Sequence, residues 1–464
     1  MNWTWLYSIN IVLIIVIVCF QRKEPVSAMA WVLCFIALPV LGPVIYLIFG
    51  LGLKRRTKKK YLEKAKASLA FSTDFKEAEE VENFGHMIRY FKNVAQSNLT
   101  GKNIIKVYTK AEDKYKDLLE DIKNAKETIN LLYFIVHNDN IGRELLSLLE
   151  KKADEGVEVR FLYDGFGSLR TPYRTFSKLK HHKNGHIAAF LPINIFSYSL
   201  INHRNHRKLA IIDGKTAYLG GMNIGDEYMG KKKPTPWRDT HMRIEGGAVS
   251  EIQRIFCLDW EFTTGEKVLE MREKFFKMSG CTENLPIQIV ASGPDSPAEE
   301  IKCGMIKMIS HAKKYVYLQT PYFAPDMPFL EALKTAAESG VDVRVMIPSV
   351  PDKRYVYYTT MSYVDELLLA GVKVYLYSGF IHSKTLVCDD EVSTIGTTNI
   401  DIRSFVLHFE INAFIYSVKE AEKNRNIFLE DMTKSQNLTM EQYRKRGILN
   451  IMKEGFFRLF APIM

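Results

Sequence analysis

Two long apolar runs open the chain, and short apolar stretches alternating with amphipathic ones fill most of the rest. Trp3 to Phe20 is eighteen residues without a charge, and residues 26–53 are twenty-eight. A helix needs about 20 apolar residues to span a bilayer, so the pattern predicts two transmembrane helices. The polar segment Gln21-Arg22-Lys23-Glu24-Pro25 separates them, and Pro39 and Pro43 predict a kink in the second. No basic residue precedes the first run, which argues against a cleaved signal peptide. Residues 61–103 read as a polar, helix-prone linker. From about residue 104, β-like runs alternate with amphipathic helices, as in a layered α/β fold. The resulting division is 1–60 for the spans and their basic flank, 61–103 for the linker, 104–280 and 281–440 for two domains, and 441–464 for an amphipathic C-terminal segment. That last segment either lies in a bilayer interface or packs on the second domain.

The two domains repeat one another. Ala153-Asp-Glu-Gly156-Val-Glu-Val-Arg160 returns as Ala337-Glu-Ser-Gly340-Val-Asp-Val-Arg344. More specific is His206-x-Lys208-x4-Asp213 with Gly220 and Asn223, which returns 176 residues later as His382-x-Lys384-x4-Asp389 with Gly396 and Asn399. Four spacings, His to Lys, Lys to Asp, His to Gly and His to Asn, are the same in both copies. A histidine and a lysine two apart on a strand face one way, and an imidazole beside an ammonium suits an anion such as phosphate. The Asp lies an odd number of residues further on, where Asp213-Gly214 also carries a hairpin-turn signature. It either pins that turn or joins the chemistry. The asparagines on the following strand offer amide donors to the same anion.

Charge narrows the choice of partner. The net charge is +10, of which +7 belongs to residues 1–60, chiefly the run Lys54-Arg55-Arg56-Thr57-Lys58-Lys59-Lys60. That run places the following residues on the cytoplasmic side and attracts anionic lipid. The nearly neutral remainder argues against a broad nucleic-acid surface. With 47% hydrophobic and 25% charged residues and a mean hydropathy of −0.11, the chain is neither a disordered protein nor a many-span transporter. Six cysteines without a CxxC pair form neither a disulfide framework nor a zinc ribbon, and read as reduced thiols facing the cytosol.

The doubled HxKx4D motif with its downstream Gly and Asn resembles the phospholipase D superfamily. Within that superfamily the N-terminal runs, Gly220-Gly221-Met222-Asn223-Ile224-Gly225-Asp226-Glu227-Tyr228, Trp237-Arg238-Asp239-Thr240-His241 and Gly396-Thr397-Thr398-Asn399-Ile400-Asp401-Ile402-Arg403-Ser404 resemble bacterial cardiolipin synthases. The resemblance covers nearly the whole chain. It implies two pseudo-symmetric phospholipase D-like α/β domains sharing one active site, preceded by two transmembrane helices, in a multi-pass protein of the bacterial inner membrane with cytoplasmic catalytic domains. The implied catalytic set is His206, Lys208, Asp213, His382, Lys384 and Asp389, with His206 attacking phosphorus and His382 as acid and base. Asn223 and Asn399 help hold the phosphoryl oxygens, Glu410 orients His206 and Asp239 orients His382. His408 stands where relatives often carry Asn.

The implied reaction is reversible phosphatidyl transfer between two phosphatidylglycerols, giving cardiolipin and glycerol, with no cofactor, metal or nucleic acid. Hydrolysis or transfer to other acceptors, and a membrane-tethered nuclease, are the alternatives. Oligomeric state is left open.

Overall fold

The computed structural model describes residues 3–21, 25–50, 63, 81–192, 202–230, 236–277, 280–281, 283–296 and 298–463. The basic run Lys54–Lys60, the charged part of the first loop (residues 22–24) and most of 61–80 lie outside the described residues.

Each half is a mixed sheet built in the same order. In the first, strands Thr128–Tyr133, Glu158–Asp164 and Gly185–Phe190 are parallel neighbours. Leu209–Ile212 runs antiparallel beside Thr128–Tyr133 and is followed by its hairpin partner Thr216–Gly220. In the second, Tyr315–Gln319, Asp342–Pro348 and Lys373–Tyr377 are the parallel three, and Thr385–Cys388 with Val392–Gly396 are the antiparallel hairpin. Thr128–Tyr133 is buried at every position, as a strand covered on both faces must be.

The intervening helices explain the weaker repeat. Helix Asn140–Asp154 is capped by Asp139, whose carboxylate accepts from the Gly142 N–H (3.3 Å), and it buries Ile141, Leu145, Leu146 and Leu149 on one face. Helix Met327–Glu338 is capped in the same way by Asp326 and buries Phe329, Leu330 and Leu333. Burying each such side chain contributes roughly 1.5–3 kcal/mol. Gly156 and Gly340 then turn the chain with φ of 95° and 92°, angles that suit a residue without Cβ.

The halves share a core. Leu209, Ile211, Leu219, Met242 and Ile244 of the first sheet pack in one cluster with Ile287, Ile289, Ile395, Ile411 and Ile415 of the second, around helix Gly247–Thr264. Glu82 to Thr100, read from composition as linker, belongs to the second half. Phe84, Met87 and Phe91, at helical spacing, enter its core, and Leu99–Thr100 adds an edge strand beside Ile287–Ser292.

The N-terminal runs depart from expectation. The first is α-helical from Trp3 to Ile15 and then widens into a π-helix, Val16–Gln21. The second divides into Pro25–Ala37, Leu41–Ile45 and a π-helix, Tyr46–Gly50, with a turn at 38–40 where Pro39 supplies no N–H. No helix among the described residues is long and apolar enough to cross a membrane, so the expected pair of spanning helices is not reproduced. The pieces fold together through buried Ile17, Phe35 and Tyr46 and leave Trp5, Ile11, Val12, Phe20, Leu33 and Ile36 exposed. All six cysteines are free thiols.

The motif aspartates sit at the hairpin turns. Asp213 Oδ1 accepts from the Glu127 and Thr128 N–H groups and Oδ2 from the Lys126 N–H. Asp389 does the same for Lys314, Tyr315 and Lys313. Both aspartates have positive φ, 52° and 56°. Each motif lysine is five residues upstream, about 16 Å along an extended chain. These contacts favour the turn-pinning alternative over the catalytic place that the resemblance gave these carboxylates: each ties a hairpin to the start of the neighbouring strand. Asp213→Ala is expected to lose about 2 kcal/mol of stability, read as a lower urea midpoint. Turnover per folded molecule should stay within about twofold of the parent; a loss matching that of a motif histidine variant would return the carboxylate to the chemistry.

Candidate active site

The two histidine motifs meet across the domain boundary, and each is placed by the opposite half. The His206 N–H donates to the Phe409 carbonyl (2.9 Å), and Phe409 N–H donates to Arg204 (2.8 Å). His382 N–H donates to the Arg238 carbonyl (2.6 Å), where Phe380–Ile381 pairs in parallel with Trp237–Arg238. The residue after each acceptor is a carboxylate. Glu410 Oε1 lies 2.9 Å from His206 Nδ1, and Asp239 Oδ2 lies 2.6 Å from His382 Nδ1. A carboxylate at Nδ1 accepts a hydrogen bond from the ring N–H, which holds the proton on that side and leaves the Nε2 lone pair free for chemistry. All four side chains are buried.

The lysines complete the pattern. Lys208 Nζ donates to the His206 carbonyl and Lys384 Nζ to the His382 carbonyl, 2.5 Å each. Both motifs lie just ahead of their strands rather than within them. Asn223 Oδ1 accepts from the Ile135 N–H (3.0 Å), and its Nδ2 donates to Tyr228 Oη (2.7 Å). Asn399 is buried with its Oδ1 unpaired among the described residues.

Burial and mutual repulsion set the charges. Burial lowers the pKa of Lys208 far below its ordinary value, with Lys384 adding repulsion against the pull of Glu410. It brings Lys384 to about 8, against the pull of Asp239 and Glu410. His206 is driven well below the usual imidazole range by burial and then by Lys208, Lys384 and His382. His382 is lowered by burial and Lys384, with Asp239 pulling back. Each imidazole thus feels the other half's lysine, as groups around one cleft do.

Spacing alone did not reveal the supports. Arg207 Nη1 pairs with Asp259 (2.6 Å) while its Nε donates to the Glu410 carbonyl (3.1 Å), so the residue inside the first motif holds the opposite carboxylate's backbone. Arg238 pairs with Asp431 of the second half (2.8 Å) and donates to Thr240. Thr397 Oγ1 donates to Glu410 Oε2 (2.5 Å). Gly221 stands at the corresponding place in the first half, where a Cβ would come 2.1 Å from Asp239 Oδ1, so only glycine fits. Both glycine and threonine lie in segments whose pattern was visible, but their jobs were not.

Aromatic rings wall the site. Phe134 lies 4.9 Å from the His206 ring, and Trp237 and Phe380 lie 5.5 and 5.8 Å from His382. Beside His382 a small cleft is lined by Pro321, Tyr322, Asp352, Lys353, Tyr357 and Phe380 among others, with Tyr322 Oη donating to Asp352 (2.6 Å).

His206, His408 and Glu410 bring three possible ligand atoms within 4.8 Å of one another, the one such group among the described residues. The hydrogen bonding argues against an ion there. Arg403 Nε donates to His408 Nε2 (2.8 Å), so the neutral ring carries its proton on Nδ1, which faces Glu410 at 3.7 Å without a lone pair to give. The donor set needs no metal to satisfy it.

A duplicated α/β fold that buries two histidine–lysine motifs against each other's halves has the arrangement of a phosphodiester-transfer site of the phospholipase D class. The family described as "Cardiolipin synthase, PLD-like domain" matches residues 118–260 and 305–432, and one described as "Phospholipase_D-nuclease N-terminal" matches 8–50. Cardiolipin synthase 2 of Staphylococcus epidermidis is 42% identical over 99% of this chain and 96% of its own length. The major cardiolipin synthase ClsA of Bacillus subtilis is 42% identical over 99% and 98%. The phosphatidylserine synthase of Haemophilus influenzae shares the fold, with a TM-score of 0.61 and 14% identity over 82% of this chain and 100% of that one. The chain belongs to the phospholipase D-like cardiolipin synthase family.

His408 gives a prediction with a definite sign. Burial, with Arg403 and His206 beside it, holds its imidazole down to about 3 against the pull of Glu410. Unfolded, it titrates near ~6.5, so between these values the unfolded chain binds a proton the folded one refuses, and stability falls as pH falls. His408→Asn should remove this loss. From about pH 8 to about pH 5 the variant should gain roughly 2 kcal/mol relative to the parent in urea unfolding. A pH-independent offset would count against it.

Proposed function

We propose that this protein makes cardiolipin by reversible phosphatidyl transfer from one phosphatidylglycerol to another. The observation that carries the reading is the pair of buried imidazoles brought together from the two halves, each held at Nδ1 by a carboxylate from the opposite half. In the first step Nε2 of His206 attacks phosphorus. The bond to the leaving glycerol oxygen breaks, and that oxygen takes a proton from His382. In the second, the terminal glycerol hydroxyl of another phosphatidylglycerol gives its proton to His382 and attacks phosphorus, and the phosphorus–nitrogen bond breaks. One phosphodiester replaces another, so no external energy source is needed and the reaction runs both ways.

Lys208, Lys384, Asn223 and Asn399 hold the phosphoryl oxygens. The phosphate supplies the anion that two buried ammoniums call for. His206 stands among Lys208, Lys384 and His382, which favour a neutral nucleophile. His382 has Asp239 to stabilise its protonated form. The aromatic walls keep the intermediate from water and favour transfer over hydrolysis. Asp352 and Tyr322, beside His382, suit the hydroxyls of the incoming glycerol. The folded N-terminal runs, with their exposed apolar faces, serve as the anchor in the bacterial inner membrane and leave the catalytic halves cytoplasmic.

The test is lipid mass analysis of membranes holding the protein and phosphatidylglycerol, with and without phosphatidylethanolamine. Cardiolipin and free glycerol are expected, and phosphatidic acid alone would point to hydrolysis. His206→Ala should cut turnover by about 10³ or more and leave no covalent lipid adduct. His382→Ala should still accumulate labelled adduct slowly. Chelators should leave the rate unchanged, and a stoichiometric need for a divalent ion would refute the mechanism.

A further inference from the structure

The C-terminal helix is amphipathic in an inverted sense. Helix Ile448–Arg458 packs on helix Arg354–Met361, with Phe457 stacked on Tyr358 and the Phe457 carbonyl accepting from Thr359 Oγ1 (3.1 Å). The side chain it turns inward most completely is a glutamate. Glu454 is 5% exposed and accepts from Arg446 Nε (2.9 Å) and from Tyr443 Oη (3.5 Å). Its large apolar residues point outward instead: Ile448 is 68% exposed, Leu449 69%, Met452 64% and Leu459 75%, with Phe456 beside them. A surface helix normally buries its apolar stripe and exposes its charges. Inverting that order leaves an exposed apolar patch, the usual mark of an interaction site.

We propose that this face docks in the headgroup–acyl boundary of a phospholipid bilayer and holds the mouth of the active-site cleft against it. Two observations select lipid as the occupant. The flanking charge is cationic in balance, with exposed Arg444 and Lys453 beside the exposed Lys445–Glu441 ion pair, which suits an anionic lipid surface. The patch is also continuous with the site. The helix beneath it supplies Val356, Tyr357 and Thr360 to the cleft beside His382, and Tyr355 of the same helix and Val350 just before it are exposed large hydrophobics as well. An amphiphile leaving the boundary therefore meets the cleft one helix away. The kinetic arm of the test rests on the phospholipid substrate proposed above; the labelling arm does not.

The full chain is reconstituted in vesicles of phosphatidylcholine and phosphatidylglycerol whose acyl chains carry a diazirine, and labelled peptides are mapped after illumination. Label is expected on residues 448–460, falling roughly tenfold in Leu449→Glu/Leu459→Glu, since binding at an interface scales with apolar area buried. These side chains are exposed, so the fold does not depend on them. In the kinetic arm, the same variant should raise KM for vesicle phosphatidylglycerol roughly tenfold and leave kcat/KM on soluble short-chain phosphatidylglycerol unchanged. Absence of label on 448–460 in membrane-bound protein overturns the proposal. So does an equal loss on both substrates, or a variant that changes only the oligomeric state through this face.

Discussion

The pairing of each motif imidazole with a carboxylate from the other half is the constraint on which the rest depends. Neither half contains a complete site. His206 takes its backbone partner from Phe409 and its Nδ1 partner from Glu410, and His382 takes the same two supports from Arg238 and Asp239. The shared core of Ile211, Leu219, Ile395 and Ile411 is therefore more than stability; a shift of about 1 Å between the sheets would break both hydrogen bonds at once. The buried pairs Arg207–Asp259 and Arg238–Asp431 stiffen the same junction. Removing one partner of such a pair leaves an uncompensated charge at a cost of about 3–5 kcal/mol, so the junction tolerates little drift.

Much of this was legible in the chain. The 176-residue offset between the two motifs identified the duplication, and the seven strands of the first sheet recur in the same order in the second, which adds an edge strand on each side. The spacing from His to Asn worked because it measures one hairpin, Leu209–Ile212 and Thr216–Gly220, and its counterpart. Spacing could not say what the Asp does, because a carboxylate that caps a neighbouring strand and one that meets a substrate leave the same letter at the same place. Only the backbone N–H groups of residues 126–128 decide it. The segment from Glu82 to Thr100 was misjudged because composition averages over the charges on its outer face, whereas Phe84, Met87 and Phe91 repeat at the helical period. The apolar N-terminal runs were long enough by count, but a count of apolar residues does not register where a turn at 38–40 or a widened helix ends the α-helical path.

The site concentrates charge where solvent is scarce. Two lysines, two histidines and two carboxylates are buried together, and burial lowers the pKa of both lysines and both histidines. Each such group is costly alone. In the proposed reaction they form a preorganised cage for a phosphodiester, whose negative charge offsets the repulsion between Lys208 and Lys384 and restores their full charge. On that reading substrate binding and electrostatic activation are one event, and the same burial keeps water from the covalent intermediate.

Duplication gives two equivalent motifs, yet double displacement needs two different roles. The difference comes from what surrounds each ring. Leading the influences on His206 after burial are cations from both halves, whereas Asp239, at 2.6 Å, pulls His382 back toward its charged form. The supports differ in the same sense. Glu410 is shared among His206, the Thr397 hydroxyl and the nearby His408, so its charge is spread over several donors. Asp239 gives one oxygen to the Thr240 N–H and the other to His382. In the proposed mechanism the neutral imidazole among cations attacks phosphorus and the imidazole with a dedicated carboxylate takes and returns the proton, so a pseudo-symmetric fold would reach an asymmetric mechanism through the placement of a few neighbouring charges.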